Sequence, residues 1–320
     1  MRAALSRTSA AAGAGAAILA RLFYGLMVDG TSPLNGAWLA AGMGLLLALP
    51  VLWLMRRQPE RTAPVLLVLL LFDAASAMEC AAFSASFLAF SHVPVVLLML
   101  PLALAALRCV HLGGDALGAS ARVWLWVLGT LMIVVVAGQL PYYHPAWVFP
   151  LLGDGAGNLL RSGLRCAGWI AALAGAAMLL CRETPRVRRV TLWTAMAVAG
   201  AAALMLLRLM MAPAGDFIRQ SREVRVDSLL TNGRALLYMQ LPMIVIWFMA
   251  MLHLACFECA MCAALLERRA KRAAGMIVVA VVLLLAATRA FRLPWLQELT
   301  WPVLLLTALI SEIARRRGDA

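Results

Sequence analysis

The sequence predicts an all-α integral membrane protein of ten transmembrane helices, and three observations carry that reading. Ten apolar runs, separated by short connectors, fill the 320 residues. Hydrophobic residues make up 64% of the chain and charged residues 13%, against roughly 45 to 50% and about 25% in soluble domains. No soluble globule hides so much apolar surface. Finally, a hydrocarbon core about 30 Å thick demands about 20 apolar residues of helix with every backbone N–H and C=O paired inside the segment, so helices are the expected spans.

The spans read in order as residues 10–28, 36–55, 64–90, 93–110, 122–140, 162–181, 190–212, 236–265, 273–289 and 296–313. The first carries its apolar character through Arg21 to Val28 with no cleavage-like site, so it reads as a span and not as a removed signal. The third and eighth are the longest, which predicts tilt or extension beyond the membrane face. Two longer connectors stand out. PYYHPAWVFPLLGDGAGN, from residue 141, mixes Pro, Gly and interfacial aromatics and predicts a structured loop along the surface. The other, residues 213–235, is the most polar stretch of the chain.

Alternate connectors carry 18 Lys and Arg on one side against 7 on the other, which predicts both termini in the cytoplasm. The net charge of +13 is therefore a topology signal spread over connectors, with no single basic face for nucleic acid. Ten spans divide into five plus five, in halves of about 1–140 and 160–320 within one polytopic domain. An odd number per half turns the second half upside down, the condition for the inverted repeat of many secondary transporters. In such folds the first helix of each half is often broken. Gly13 and Gly15 in span one, and Gly163 and Gly168 in span six, predict unwinding there, with close helix packing as the competing role of the same residues.

Charged groups at membrane depth demand a partner, a wet cavity or a function. The candidates are Arg21, Asp73, Glu79, Arg165, Arg208, His253 and Glu258. A binding site for a small zwitterion or ion at the centre of the bundle is one reading; structural ion pairs or snorkelling arginines are the other. Asp73 and Glu79 lie six residues, or about 120°, apart on a helix and do not both face one ligand; Asp73 is placed to meet Arg21. His253, Cys256, Cys259 and Cys262 drift about 60° per step and read as buried thiols beside a histidine, with no metal site. No catalytic fingerprint stands in its required context, so no enzyme and no cofactor is expected.

From about Phe90 to Arg189 the chain carries Phe90-Ser91-His92-Val93-Pro94, HLGGDALGASARV at 111–123, PLLGDGAGNLLRSGL at 150–164 and RETPRVRR at 182–189. In order and spacing these resemble the B subunit of spore germinant receptors, the GerAB-like spore germination permease family of the amino acid, polyamine and organocation transporter superfamily. TNGRALLYMQLPMIVIWFMAM at 231–251 is similar to that family's approach to span eight. The chain departs at Gly168-Trp169-Ile170, where many members carry a polar residue, and at His92-Val93, where a Thr is usual. The resemblance implies a LeuT-like fold in the spore inner membrane. It implies an amino-acid-like nutrient bound near Gly13, Gly15, Gly163 and Gly168, and A and C type partner subunits. Set against this sensing role is a proton- or cation-coupled amino acid or polyamine transporter using Asp73, Glu79 or Glu258, and a scaffold whose charges are structural.

Overall fold

A computed structural model describes residues 7–27, 36–57, 59–88, 92–139, 144–149, 151–152, 155–180, 185–211, 234–270, 273–289 and 294–318. Among them run ten α-helices: α1 Arg7–Met27, α2 Ala37–Met55, α3 Pro59–Leu88, α4 Val95–Leu112, α5 Gly114–Gln139, α6 Ala156–Leu180, α7 Pro185–Met210, α8 Arg234–Ala270, α9 Ala274–Thr288 and α10 Pro294–Gly318. Each matches one run of the sequence, and α8 and α3 are the longest. Six helical segments of the described residues, in α2, α3, α4, α6, α7 and α8, are long and apolar enough to cross a bilayer on their own. The surface agrees with that environment. Leu46, Leu104, Trp126, Trp193, Leu284 and Leu306 are all more than half exposed, a belt that lipid solvates and water would not.

Boundaries differ from expectation where a helix continues through polar residues. The connector expected around HLGGDALGASARV is almost entirely helical, because α4 runs on through Leu112 and α5 starts at Gly114. Gly113 alone makes the turn, at φ 89° and ψ 168°, a backbone region open essentially to glycine. Part of the 141–161 connector is ordered as a 3-10 turn, Pro145–Val148, and the His144 N–H donates to the Met211 carbonyl at 2.9 Å. Of the polar 213–235 connector, residues 213–233 lie outside the described residues.

The packing pattern repeats when each helix is exchanged for the one five places along. The contact of α1 with α7 becomes that of α6 with α2, and α1 with α5 becomes α6 with α10. Likewise α3 with α4 becomes α8 with α9, and α4 with α8 becomes α9 with α3. The pairs α3–α8, α1–α6, α2–α7 and α4–α9 map onto themselves. Five helices and five helices thus interleave around α1, α3, α6 and α8. Small residues permit it: Ala10, Ala14, Ala17, Ala167, Ala171 and Ala174 are fully buried on α1 and α6, letting backbones approach where lipid supplies no hydrophobic drive between helices.

The four glycines proposed as helix breaks do something else, since α1 and α6 are continuous through all of them. A Cβ on Gly13 would enter the Phe257 ring of α8, and one on Gly15 would press Val198 of α7 at 3.3 Å. On α6, a Cβ at Gly163 would meet the Met43 side chain of α2 at 2.6 Å, and one at Gly168 would meet Thr300 of α10 at 2.9 Å. Unwinding is therefore corrected to close packing. Gly13, Gly15 and Gly163 set how tightly the halves interlock, and Gly168 does the same for α6 and α10 within the second half.

Candidate functional site

Helices α1, α3, α6 and α8 meet at Arg21. Its guanidinium is 1% exposed, which is costly for a permanent cation, and both of its terminal nitrogens are engaged. One nitrogen pairs with the Asp73 carboxylate on α3. Both terminal nitrogens point at the Ser76 hydroxyl at 3.4 Å, and the Trp169 ring of α6 covers the plane with its centroid 4.8 Å from Cζ. Asp73 and Ser76 share a face because they are three residues apart on α3. The Arg21–Asp73 pair is the one the sequence singled out.

Glu258 of α8 completes the group. It is fully buried, its charge acts on that of Asp73 and on Arg21, and no hydrogen-bond donor of the described residues reaches either of its oxygens. A carboxylate pair cannot form a hydrogen bond without a proton between the two groups. With both acids ionised, Arg21, Asp73 and Glu258 together carry one net negative charge in an apolar interior, and among the described residues no further cation is paired with them. Beside the cluster lies a cavity of about 30 Å³, lined by Arg21, Asp73, Ser76, Trp169, Gln297 and Thr300 together with Leu69, Phe72 and Ala172. That volume holds one or two water molecules.

The other expected site residues are placed elsewhere. Glu79 is buried, but its carboxylate pairs at 3.1 Å with Arg289, the left-handed residue (φ 55°) that ends α9, so it does not join Asp73. Arg165 lies one turn before Trp169 on α6 and pairs with Glu298 of α10 at 3.0 Å, next in sequence to the cavity residue Gln297. Arg208 is exposed near the end of α7. Gly13 abuts Phe257, the neighbour of Glu258, and Gly168 abuts Thr300 of the cavity wall. These two glycines border the site through packing, while Gly15 and Gly163 face α7 and α2.

His253 packs 6.4 Å from Trp124 and 6.5 Å from Phe257, ring centre to ring centre, and lines a second cavity of about 280 Å³ between α4, α5 and α8. Among the described residues six cysteines are free thiols, and no three His, Cys, Asp or Glu side chains are grouped to hold a metal. Sequence reasoning missed Ser76, Trp169, Gln297 and Thr300. In the sequence Trp169 marks only a departure from a family pattern; its place over the Arg21 guanidinium leaves no local signal, because the two lie 148 residues apart.

No protein-family model matches the chain, and no curated protein matches it in sequence. In fold it is similar to a nucleobase-cation-symport-1 family transporter in a closed conformation with bromovinylhydantoin bound, with a TM-score of 0.51 and 12% identity over 95% of this chain and 75% of that one. The likeness shows the fold alone: a multi-pass helical membrane protein with the LeuT-like arrangement of helices. It does not extend to the germination permease family.

Proposed function

We propose that this chain is a non-catalytic secondary transporter that couples a proton or small cation, taken at Glu258 and Asp73, to a small amino-acid-like or polyamine solute. The observation that carries the reading is Glu258: wholly buried, without a donor, and facing an acid whose counterion is already Arg21. A purely structural ion pair has no need of that second carboxylate. The fold likeness to a cation symporter supports the same reading.

The chemistry follows from charge balance. An uncoupled Glu258 carboxylate opposes the Asp73 charge and pulls on Arg21; once a proton or cation neutralises it, Arg21 and Asp73 are a balanced pair. A zwitterionic solute exchanges for that internal pair, its carboxylate on Arg21 and its amine on Asp73, with Trp169, Gln297 and Thr300 as the wall. The cavity of about 30 Å³ is too small for such a solute, so this is a closed state. Opening must part α10 from α6 near the Arg165–Glu298 pair, a movement inside the second five-helix half, with both termini in the cytoplasm.

The test is uptake of labelled amino acids and polyamines into proteoliposomes under imposed proton and sodium gradients. Gradient-driven uptake is expected, lost in Asp73→Asn and uncoupled from the gradient in Glu258→Gln. Uptake that ignores both gradients, or survives Asp73→Asn, rejects the reading. The sensing alternative, a spore inner-membrane germinant receptor subunit with A and C type partners, rests on the resemblance of the 90–189 segment. It is favoured by a ligand-induced thermal shift without uptake and by co-purification with such partners.

A further inference from the structure

The end of α2, the start of α3 and the end of α10 bring RRQPER at 56–61 against EIARRR at 312–317, six arginines with only Glu60 and Glu312. Glu312 is nearly buried and is shared by three guanidiniums. Arg57 donates to it at 3.2 Å, Arg315 through two nitrogens at 3.1 and 2.8 Å, and Arg316 at 3.3 Å. Arg61 donates to the Ser311 carbonyl at 3.3 Å. Arginines so gathered repel one another, and the single Glu312 carboxylate is divided among Arg57, Arg315 and Arg316. Arg57, Arg61 and Arg316 remain exposed.

The surroundings say what kind of anion this face suits. Arg57 lies over the ring of Trp53, 3.9 Å from its centroid, and Trp53 is 44% exposed, an aromatic of the kind that marks the headgroup level of a bilayer. Leu46 continues the same face of α2 into the apolar belt, and Leu306, Ile310 and Ile313 do so on α10. A cation excess bordered by exposed aliphatic side chains fits a molecule with a phosphate at one end and acyl chains at the other. A free phosphate would use only half of it.

We propose that the Arg57, Arg61, Arg316 cluster binds the headgroup of an anionic phospholipid, whose acyl chains lie along α2 and α10. The full chain, purified in detergent and mixed with phosphatidylglycerol or phosphatidylcholine, is examined by native mass spectrometry. Phosphatidylglycerol is expected to be retained at least fivefold better, and that preference to fall to near parity in the Arg57→Gln/Arg61→Gln double variant. Arg57→Lys/Arg61→Lys, which keeps the charge, retains at least half of the preference and guards against a folding defect. Arg108→Gln/Arg122→Gln removes equal charge at exposed positions elsewhere and should leave the preference intact. Equal retention of the two lipids, an equal loss in the Arg108/Arg122 variant, or displacement of the lipid by millimolar inorganic phosphate would each overturn the proposal.

Discussion

At the scale of the residue, the decisive quantities are who faces a buried charge and who lacks a Cβ. Truncating Arg21 to Met while Asp73 remains should destabilise the protein by about 3–5 kcal/mol, since a buried carboxylate loses its counterion, whereas Arg21→Met/Asp73→Leu should recover much of that loss. Thermal unfolding in detergent of both variants checks it, and a double variant worse than the single contradicts the pairing. Gly13→Ala pushes a methyl into the Phe257 ring and should cost about 1–3 kcal/mol, relieved when Phe257→Leu is added. Additive losses in that pair of variants would mean the two do not touch. The sequence showed Arg21 with Asp73 and kept Glu79 apart, because helical angle is arithmetic. It did not show what Gly13 or Gly168 do, since glycine is the same letter whether it frees a backbone or admits a neighbour's ring.

At the scale of the element, helix existence was legible throughout and helix ends were not. Periodicity and length located all ten runs, but HLGGDALGASARV looks like a connector by its polarity, and only Gly113 departs from helix. Because its φ of 89° excludes a Cβ, Gly113→Ala should cost about 1–3 kcal/mol, more than the same change at Gly42 of α2, where a Cβ meets nothing within 4 Å. Equal melting temperatures for the two variants would contradict the turn. The contact of α10 with α2 includes the Trp301 indole N–H donating to the Leu47 carbonyl at 2.9 Å. Removing that donor with Trp301→Phe should cost about 1 kcal/mol. Pairings such as Arg165 with Glu298, 133 residues apart, leave no local pattern in a sequence and had to come from the fold.

At the scale of the whole molecule, the count of five plus five was legible from the runs alone, while the equivalence of neighbours under that exchange appeared only in the packing. The α3–α8, α2–α6 and α1–α7 contacts all join one half to the other, so neither half encloses a site by itself. A chain cut in the 141–155 connector should be recovered as a complex when both pieces are co-expressed, and each piece alone should aggregate in detergent. A monodisperse first half, stable without its partner, would contradict the interleaved core.

The order of synthesis adds a consequence to the Arg21, Asp73 and Glu258 cluster. Arg21 and Asp73 both belong to helices that leave the ribosome early, so the nascent chain can neutralise its first buried charges before the second half exists. Glu258 emerges more than 180 residues after Asp73 and meets a pair that is already satisfied. Biogenesis can thus seat the permanent ion pair first, and in the proposed coupling the late-arriving acid takes its counterion from outside the polypeptide.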